Sequence, residues 1–195
     1  NDATYIDTLN RDAADAFLRI THDAYAEALG DDFGDTIPGI FTDEPRLEGP
    51  MPWTESFPAE FRSRKGYDIR DHLPALLYRI GKDWAKARYD YWDVVTDLFL
   101  ESFCRPVGGW CDAHGLALTG HFWEHTYPSP EHQGDFLAPL ATMQLPGIDC
   151  LGCARPEKPQ TQFGYVAMCK EAASVAHQMG RPQVLSEAYG GAGWD

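Results

Sequence analysis

IPGIFTDEP, residues 37–45, is a short β-branched and aromatic run that ends abruptly in two adjacent carboxylates, Asp43 and Glu44, and then a proline. Ile40 and Phe41 are side-chain types that pack on a pleated, buried surface, and Pro45 has no N–H to donate to a ladder, so the strand stops there. The stretch therefore predicts a strand over 39–42 that delivers acids at its C-terminal end. VLSEAYG, residues 184–190, repeats the arrangement: Val184 and Leu185 lead to Ser186 and Glu187 before a glycine turn. Two strands that each end in a glutamate are what a hydrolase working with two carboxylates requires. The plainer alternative has Asp43 capping the following turn and Glu187 solvated in a loop.

Working outward, Asn10 is a good N-cap, and Ala13, Phe17, Ile20, Ala24 and Ala28 recur at helical spacing as far as Gly30, which predicts one helix. After the first strand, residues 46–56 hold Pro50, Pro52 and Trp53 and read as a loop above the strand end, a position that usually belongs to a binding face. Helices are predicted over 57–65, stopped by Gly66, and over 69–80. A long amphipathic segment follows from Asp83, with Trp84, Tyr91, Val94 and Leu98 on one side, and runs towards His114 with a disturbance at Pro106. LALT at 116–119 gives a second strand that enters Gly120 and His121. A short helix over 134–144, a third strand over 147–151, and a helix over 160–179 with Phe163, Val166, Ala167, Ala173 and Ala176 inward lead to the fourth strand.

No NG-type hairpin turn joins successive strands, so the alternation predicts an α/β chain of parallel strands joined by helical crossovers. The chemically interesting residues fall at strand C-terminal ends, which is the functional face of a TIM-type (β/α)8 barrel or an open α/β sheet. A full barrel takes about 250 residues. Four strands make roughly half of one, and the chain opens at Asn1 with no initiator Met and stops at Asp195 soon after a strand, so residues 1–195 are expected to be a single partial barrel domain excised from a longer chain.

Composition limits the partners. Thirty acidic against sixteen basic residues give a formal charge of −14, which repels a phosphate backbone and leaves no basic face for nucleic acid or anionic lipid. No apolar run is long enough to span a bilayer. Five cysteines at irregular spacing do not suggest a disulfide framework, and the CxxC of Cys150 and Cys153 has no matching second pair, so buried thiols are the simpler reading. His22 and His177 read as structural histidines, and neither GxGxxG nor GxSxG occurs.

Three strand ends carry chemistry: Asp43 with Glu44; His121, Glu124 and His125; and Glu187 with Tyr189. Asp149 makes a fourth. Carboxylates gathered at one mouth disfavour one another's ionisation, and one of them stays protonated to act as an acid. The run from His121 to His125 also matches HxxEH, a zinc-peptidase pattern that works only on a helix. Here LALTG precedes it and YPSP follows, which would break a helix within a turn, so these groups read as rim or substrate-facing residues or hydrogen-bonded loop residues.

FTDEP at 41–45, WTESFPAEFRSRKGYDIRDHLPAL at 53–76, TGHFWEH at 119–125, PGID at 146–149 and SVAHQMGRPQVLSEAYGGAGWD at 174–195 occur in an order that resembles the catalytic barrel of glycoside hydrolase family 106 α-L-rhamnosidases. The resemblance covers nearly the whole chain. It implies a (β/α)8 domain that hydrolyses a terminal α-L-rhamnosyl bond with inversion, often with calcium near the sugar in bacterial enzymes, and a secreted or periplasmic location if the chain is like those members. Carried over, Glu44 would be the general acid and Glu187 the base, while Glu124 would either orient the attacking water or help hold a metal whose ligands are unassigned. Asp43, His121, Trp123, His125, Asp149 and Tyr189 would face the carbohydrate, His121 hydrogen-bonding and Trp123 stacking. Family members carry further strands and accessory β domains. A lone half-barrel would leave open edges that invite self-association, and a non-catalytic carbohydrate-binding or assembly role is the rival reading.

Overall fold

The computed structural model describes residues 5–150, 159–188 and 190. Asn10 caps α1, Arg11–Ile20, its side chain accepting from the Asp12 N–H at 3.0 Å. The single helix predicted to Gly30 is in fact two, because the Thr21 N–H and hydroxyl both bond back to the Phe17 carbonyl, at 3.0 and 2.7 Å, and bend the chain. Helix α2, His22–Leu29, then starts with His22 buried edge-on against Phe17 and Trp110. His177, the other histidine assigned a structural role, is exposed.

Strand β1 is Gly39–Asp43, one residue longer than predicted. Helix α3, Phe57–Lys65, matches its prediction and ends at Gly66, which adopts φ +80. The helix predicted over 69–80 is a 3₁₀ turn, Ile69–His72, running into a short α4, Leu73–Leu77, before Tyr78 turns extended. The long amphipathic segment forms α5, Trp84–Phe99, and α6, Arg105–Ala113, joined by a π turn over Leu100–Cys104. That wide turn is the disturbance caused by Pro106, which has no N–H for the carbonyl four residues back and whose ring presses on it.

Strand β2 is Ala117–His121. The helix predicted over 134–144 is absent apart from a 3₁₀ turn at Leu140–Thr142. Gly134 is left-handed and lies where a Cβ would collide with Thr96, and the Asp135 carboxylate accepts from the Leu137 and Ala138 N–H groups as a local cap. Strand β3, Gly147–Cys150, helix α7, Pro159–Gln178, and strand β4, Leu185–Ala188, complete the order.

Strands β1 and β2 pair in parallel from Gly39 opposite Ala117 to Asp43 opposite His121, and β3 and β4 pair in parallel from Gly147 opposite Leu185 to Cys150 opposite Ala188. The two ladders abut along β2 and β3, where the Leu145 N–H donates to the Leu118 carbonyl at 3.1 Å and a Cβ on Gly147 would overlap the Gly120 carbonyl. The strands thus follow chain order, with α-helical crossovers after β1 and β3 and a loop of 3₁₀ turns after β2. Parallel α/β organisation is as expected from the sequence.

The main core gathers Phe57, Phe61, Tyr91, Val95, Phe99 and Phe122 between the helices and the strands. The buried stripe of α7 is Met168, Ala172, Val175 and Ala176, whereas Val166 is 63% exposed; the stripe expected through Val166 and Ala173 is rotated, and Phe163 falls outside the described side chains. Phe41 also departs from expectation, at 47% exposed, because it shares the open face of β1 with Asp43.

Candidate active site

The C-terminal ends of β1, β2, β3 and β4 converge on one imidazole. His121, the last residue of β2, is 1% exposed and donates from Nε2 to Glu187 Oε2 of β4 at 3.0 Å, with Asp43 Oδ1 of β1 at 3.8 Å. Phe41 meets the same ring edge-on, its centroid 5.5 Å away. Glu44 continues the β1 ladder by one bond, its N–H donating to the His121 carbonyl at 3.2 Å, and then leaves with φ +48. A left-handed backbone at a non-glycine residue costs of order 1 kcal/mol and is held only where its surroundings demand it. Asp149, buried on β3, lies opposite Glu187 in the register, and its N–H donates to Glu124 Oε1 at 2.6 Å. Glu124 is fully buried in the 3₁₀ turn Glu124–Thr126 that follows β2.

The ionisation of the cluster follows from this crowding. Burial raises Glu44, His121 opposes that, and the charges of Asp43 and Asp149 add to the rise. Burial likewise raises Asp149 against the pull of His121. Glu124 is pushed up to about 7, chiefly by burial and against the backbone N–H bonds that favour its anion. For His121, burial works against the cation, but the Glu187 hydrogen bond and the charges of Glu124, Asp149 and Asp43 outweigh it and raise the group. The site is a set of acids around one stabilised cation, able to keep one carboxyl protonated beside another that is ionised.

The remaining sequence candidates fall differently. The Trp123 ring has the Arg46 guanidinium 5.4 Å from its centroid, His132 at 4.5 Å and His125 at 5.3 Å, while its backbone N–H donates to the Gln133 side chain. It is thus packed into the loop between β2 and β3. Burial lowers His125. The HxxEH reading fails locally, since His121 ends a strand and only a single 3₁₀ turn follows. Tyr189 and Cys153 lie outside the described residues.

Two residues escaped the sequence reading. Arg46, two positions beyond Glu44 in FTDEPR, bridges the rings of Trp123 and Tyr5. Glu171 on α7 is buried and pushed up to about 7 by that burial, with Glu124 and Asp135 adding to the rise. Its signal was its spacing from Met168 and Val175, hidden by the rotated stripe.

Glu44, His121 and Asp149 each present one ligand atom within 4.8 Å of the others. Opposite ligands on a cation with bonds of about 2.4 Å are separated by about that much. Among the described residues, His121 Nδ1 and Asp149 Oδ1 are buried without a hydrogen-bond partner. With Glu44 beside these two orphaned atoms, the set fits a divalent cation, which would supply the positive charge that a protonated His121 otherwise brings.

Comparison with known proteins gives matches of three kinds. The glycoside hydrolase 106 family profile, described as alpha-L-rhamnosidase, matches residues 2–194. A protein of Formosa agariphila named "Putative beta-glucuronidase" is 24% identical over 196 aligned residues, which cover 97% of this chain and 15% of that protein. The solved structure of a rhamnosidase from Novosphingobium sp. PP1Y superposes with a TM-score of 0.71 at 24% identity, over 96% of this chain and 18% of that one. The chain thus spans under a fifth of the length of either relative, and the structural likeness speaks for the fold.

Proposed function

The chain belongs to the glycoside hydrolase 106 family, and from that premise we propose that its four parallel strands form part of a (β/α)8 barrel that hydrolyses a terminal α-L-rhamnosyl bond with inversion. Glu44 delivers a proton to the leaving oxygen, which keeps the bonding pair of the broken C–O bond. Glu187 takes a proton from the water whose oxygen attacks the opposite face of the anomeric carbon. The observation that carries this reading is that both glutamates stand by one buried imidazole: Glu187 is hydrogen-bonded to His121, and a Glu44 oxygen is within 4.8 Å of a ring nitrogen of the same residue. The raised pKa of Glu44, caused chiefly by burial, favours its protonated form and suits an acid. His121 orients Glu187 through their hydrogen bond, and Asp43 and Asp149 accept from sugar hydroxyls. Glu124 anchors β3 by its bond to the Asp149 N–H.

The calcium expected from the family takes oxygen ligands, so Glu44 and Asp149 rather than the His121 imidazole would hold it, and it would polarise sugar hydroxyls as a Lewis acid. Glu44 cannot grip a cation and release a proton at the same moment. A fall in rate on chelation that calcium reverses would show that a cation is needed and would place it on the other ligands while Glu44 holds its proton, whereas indifference to chelator leaves Glu44 to the proton alone. The name of the Formosa relative raises a glucuronide as the substrate. A sugar carboxylate entering among Asp43, Glu44, Asp149 and Glu187 would meet like charge, which favours a neutral deoxy sugar.

The test uses the full-length protein. Glu187→Gln is expected to abolish turnover while the fold survives, and near-wild-type activity would remove Glu187 from the base role. After Glu44→Gln, an activated aryl rhamnoside, which needs little protonation, should lose less rate than a natural disaccharide. Equal losses on both would rule out Glu44 as the acid.

A further inference from the structure

The loop that leaves Glu44 builds a second surface beside the reacting carboxylates. Two cavities of about 330 and 200 Å³ share Glu48, the first also lined by Arg46 and His132 and the second by Tyr5, Pro52 and Trp53. Together they are of the size that small ligands occupy. Trp53 is 41% and Tyr5 44% exposed, although both are large aromatic rings. Trp53 is not loose: it rests on Phe57, centroids 4.8 Å apart, and Phe57 is fully buried against Tyr91. Tyr5 is held by the Arg46 N–H, which donates to its hydroxyl at 3.2 Å, and its ring lies under the Arg46 guanidinium. Arg46 Nε in turn donates to Glu48 Oε1 at 2.9 Å.

We propose that Tyr5, Arg46, Glu48 and Trp53 form a leaving-group subsite that receives the sugar unit attached to the scissile oxygen. This rests on Glu44 being the acid of the glycosidase reading. The proton goes to the leaving oxygen, so the leaving group lies on the side of the residue that donates it. The chain continues from Glu44 directly into Arg46 and Glu48, and the Arg46 N–H holds the Tyr5 hydroxyl beside this turn at 3.2 Å. A pyranose offers an apolar C–H face and a rim of hydroxyls. Two rigid rings and a paired guanidinium and carboxylate offer the matching surfaces, stacking for the face and forked hydrogen bonds for vicinal hydroxyls. The leaving-group sugar is therefore a neutral pyranose rather than a bare alkyl or aryl group.

The experiment compares, in the full-length protein, kcat/KM for a rhamnosyl disaccharide with kcat/KM for α-L-rhamnosyl fluoride, whose leaving group is a single atom. Trp53→Ala is expected to lower the disaccharide-to-fluoride ratio by about tenfold, mainly through a higher KM for the disaccharide. Trp53→Tyr, which keeps a ring on Phe57 and a plate towards solvent, is expected to restore most of the ratio. A general loss of folding would reduce both substrates together and leave the ratio in place, so an unchanged ratio in both variants overturns the subsite. A wild-type protein that cleaves neither substrate overturns the glycosidase reading, and the subsite with it.

Discussion

At the scale of single residues, the clearest sign of function is backbone strain. Glu44 is the only non-glycine residue with positive φ among those described, and it sits between the acid that ends β1 and the loop towards Trp53. Glu44→Ala and Glu44→Gly both remove the carboxyl, but only glycine accepts that backbone freely. The glycine variant is therefore expected to be more stable than the alanine variant by about 1 kcal/mol in denaturant titration. Equal stability, or a more stable alanine variant, would mean that Glu44 carries no strain. The pairing of Glu187 with His121 makes a second prediction at this scale. His121→Phe should leave Asp43 and Glu187 without their ion-pair partner, and activity should fall as far as it does for Glu187→Gln, because the proposed base is no longer oriented. A milder loss in a steady-state assay would detach His121 from the base.

At the scale of elements, helix α7 and the β1–β2 ladder each make a prediction. Glu171 on α7 has a folded-state ionisation near 7, above its ordinary 4.5, so the folded form holds its proton longer than the unfolded chain does. Its contribution to stability is fully present below about pH 4.5 and is lost as pH rises through about 7. Glu171→Gln removes that loss. The melting temperature of the variant relative to wild type should rise between pH 5 and pH 7 and level off by pH 8, and a difference that stays flat would refute a buried, protonated Glu171. In the ladder, Gly120 has φ +110, and a Cβ there would overlap the backbone of Thr42 on β1. Gly120→Ala must push β1 and β2 apart just before His121, so it is expected to destabilise by about 3 kcal/mol or more and to abolish activity together with the fold. A well-folded Gly120→Ala protein would show that the close approach of the strands is not required.

At the scale of the whole molecule, the four strands leave the outer edges of β1 and β4 without a strand partner among the described residues, and Phe41 lies exposed on the face that carries the site. Edges of that kind pair with whatever strand is offered, either further strands of a barrel or another copy. The 195-residue chain prepared alone is expected to self-associate in sedimentation velocity, increasingly so in higher salt, since a charge of −14 repels copies at low ionic strength. A monomer at every concentration and salt level would mean that these edges are protected. No helix of the described residues is long and apolar enough to cross a membrane.

What the sequence determined alone was local. The proline and glycine stops, the N-cap at Asn10 and the acids at the strand ends follow from φ preferences and hydrogen-bonding capacity that each short segment carries with it. Hence β1, α3 and the parallel order were legible from the residues themselves. The tertiary structure decided everything that depends on distant segments meeting. It set the rotation of the α7 stripe against Ile148, the exposure of Phe41, the packing of Trp123 against Arg46 and His132, and the choice of His121 as the shared partner of Asp43 and Glu187. Those contacts are fixed by the registers of two ladders and by two glycines: Gly120 lets β2 close on Thr42 within the first ladder, and Gly147 lets β3 close on the Gly120 carbonyl at the junction.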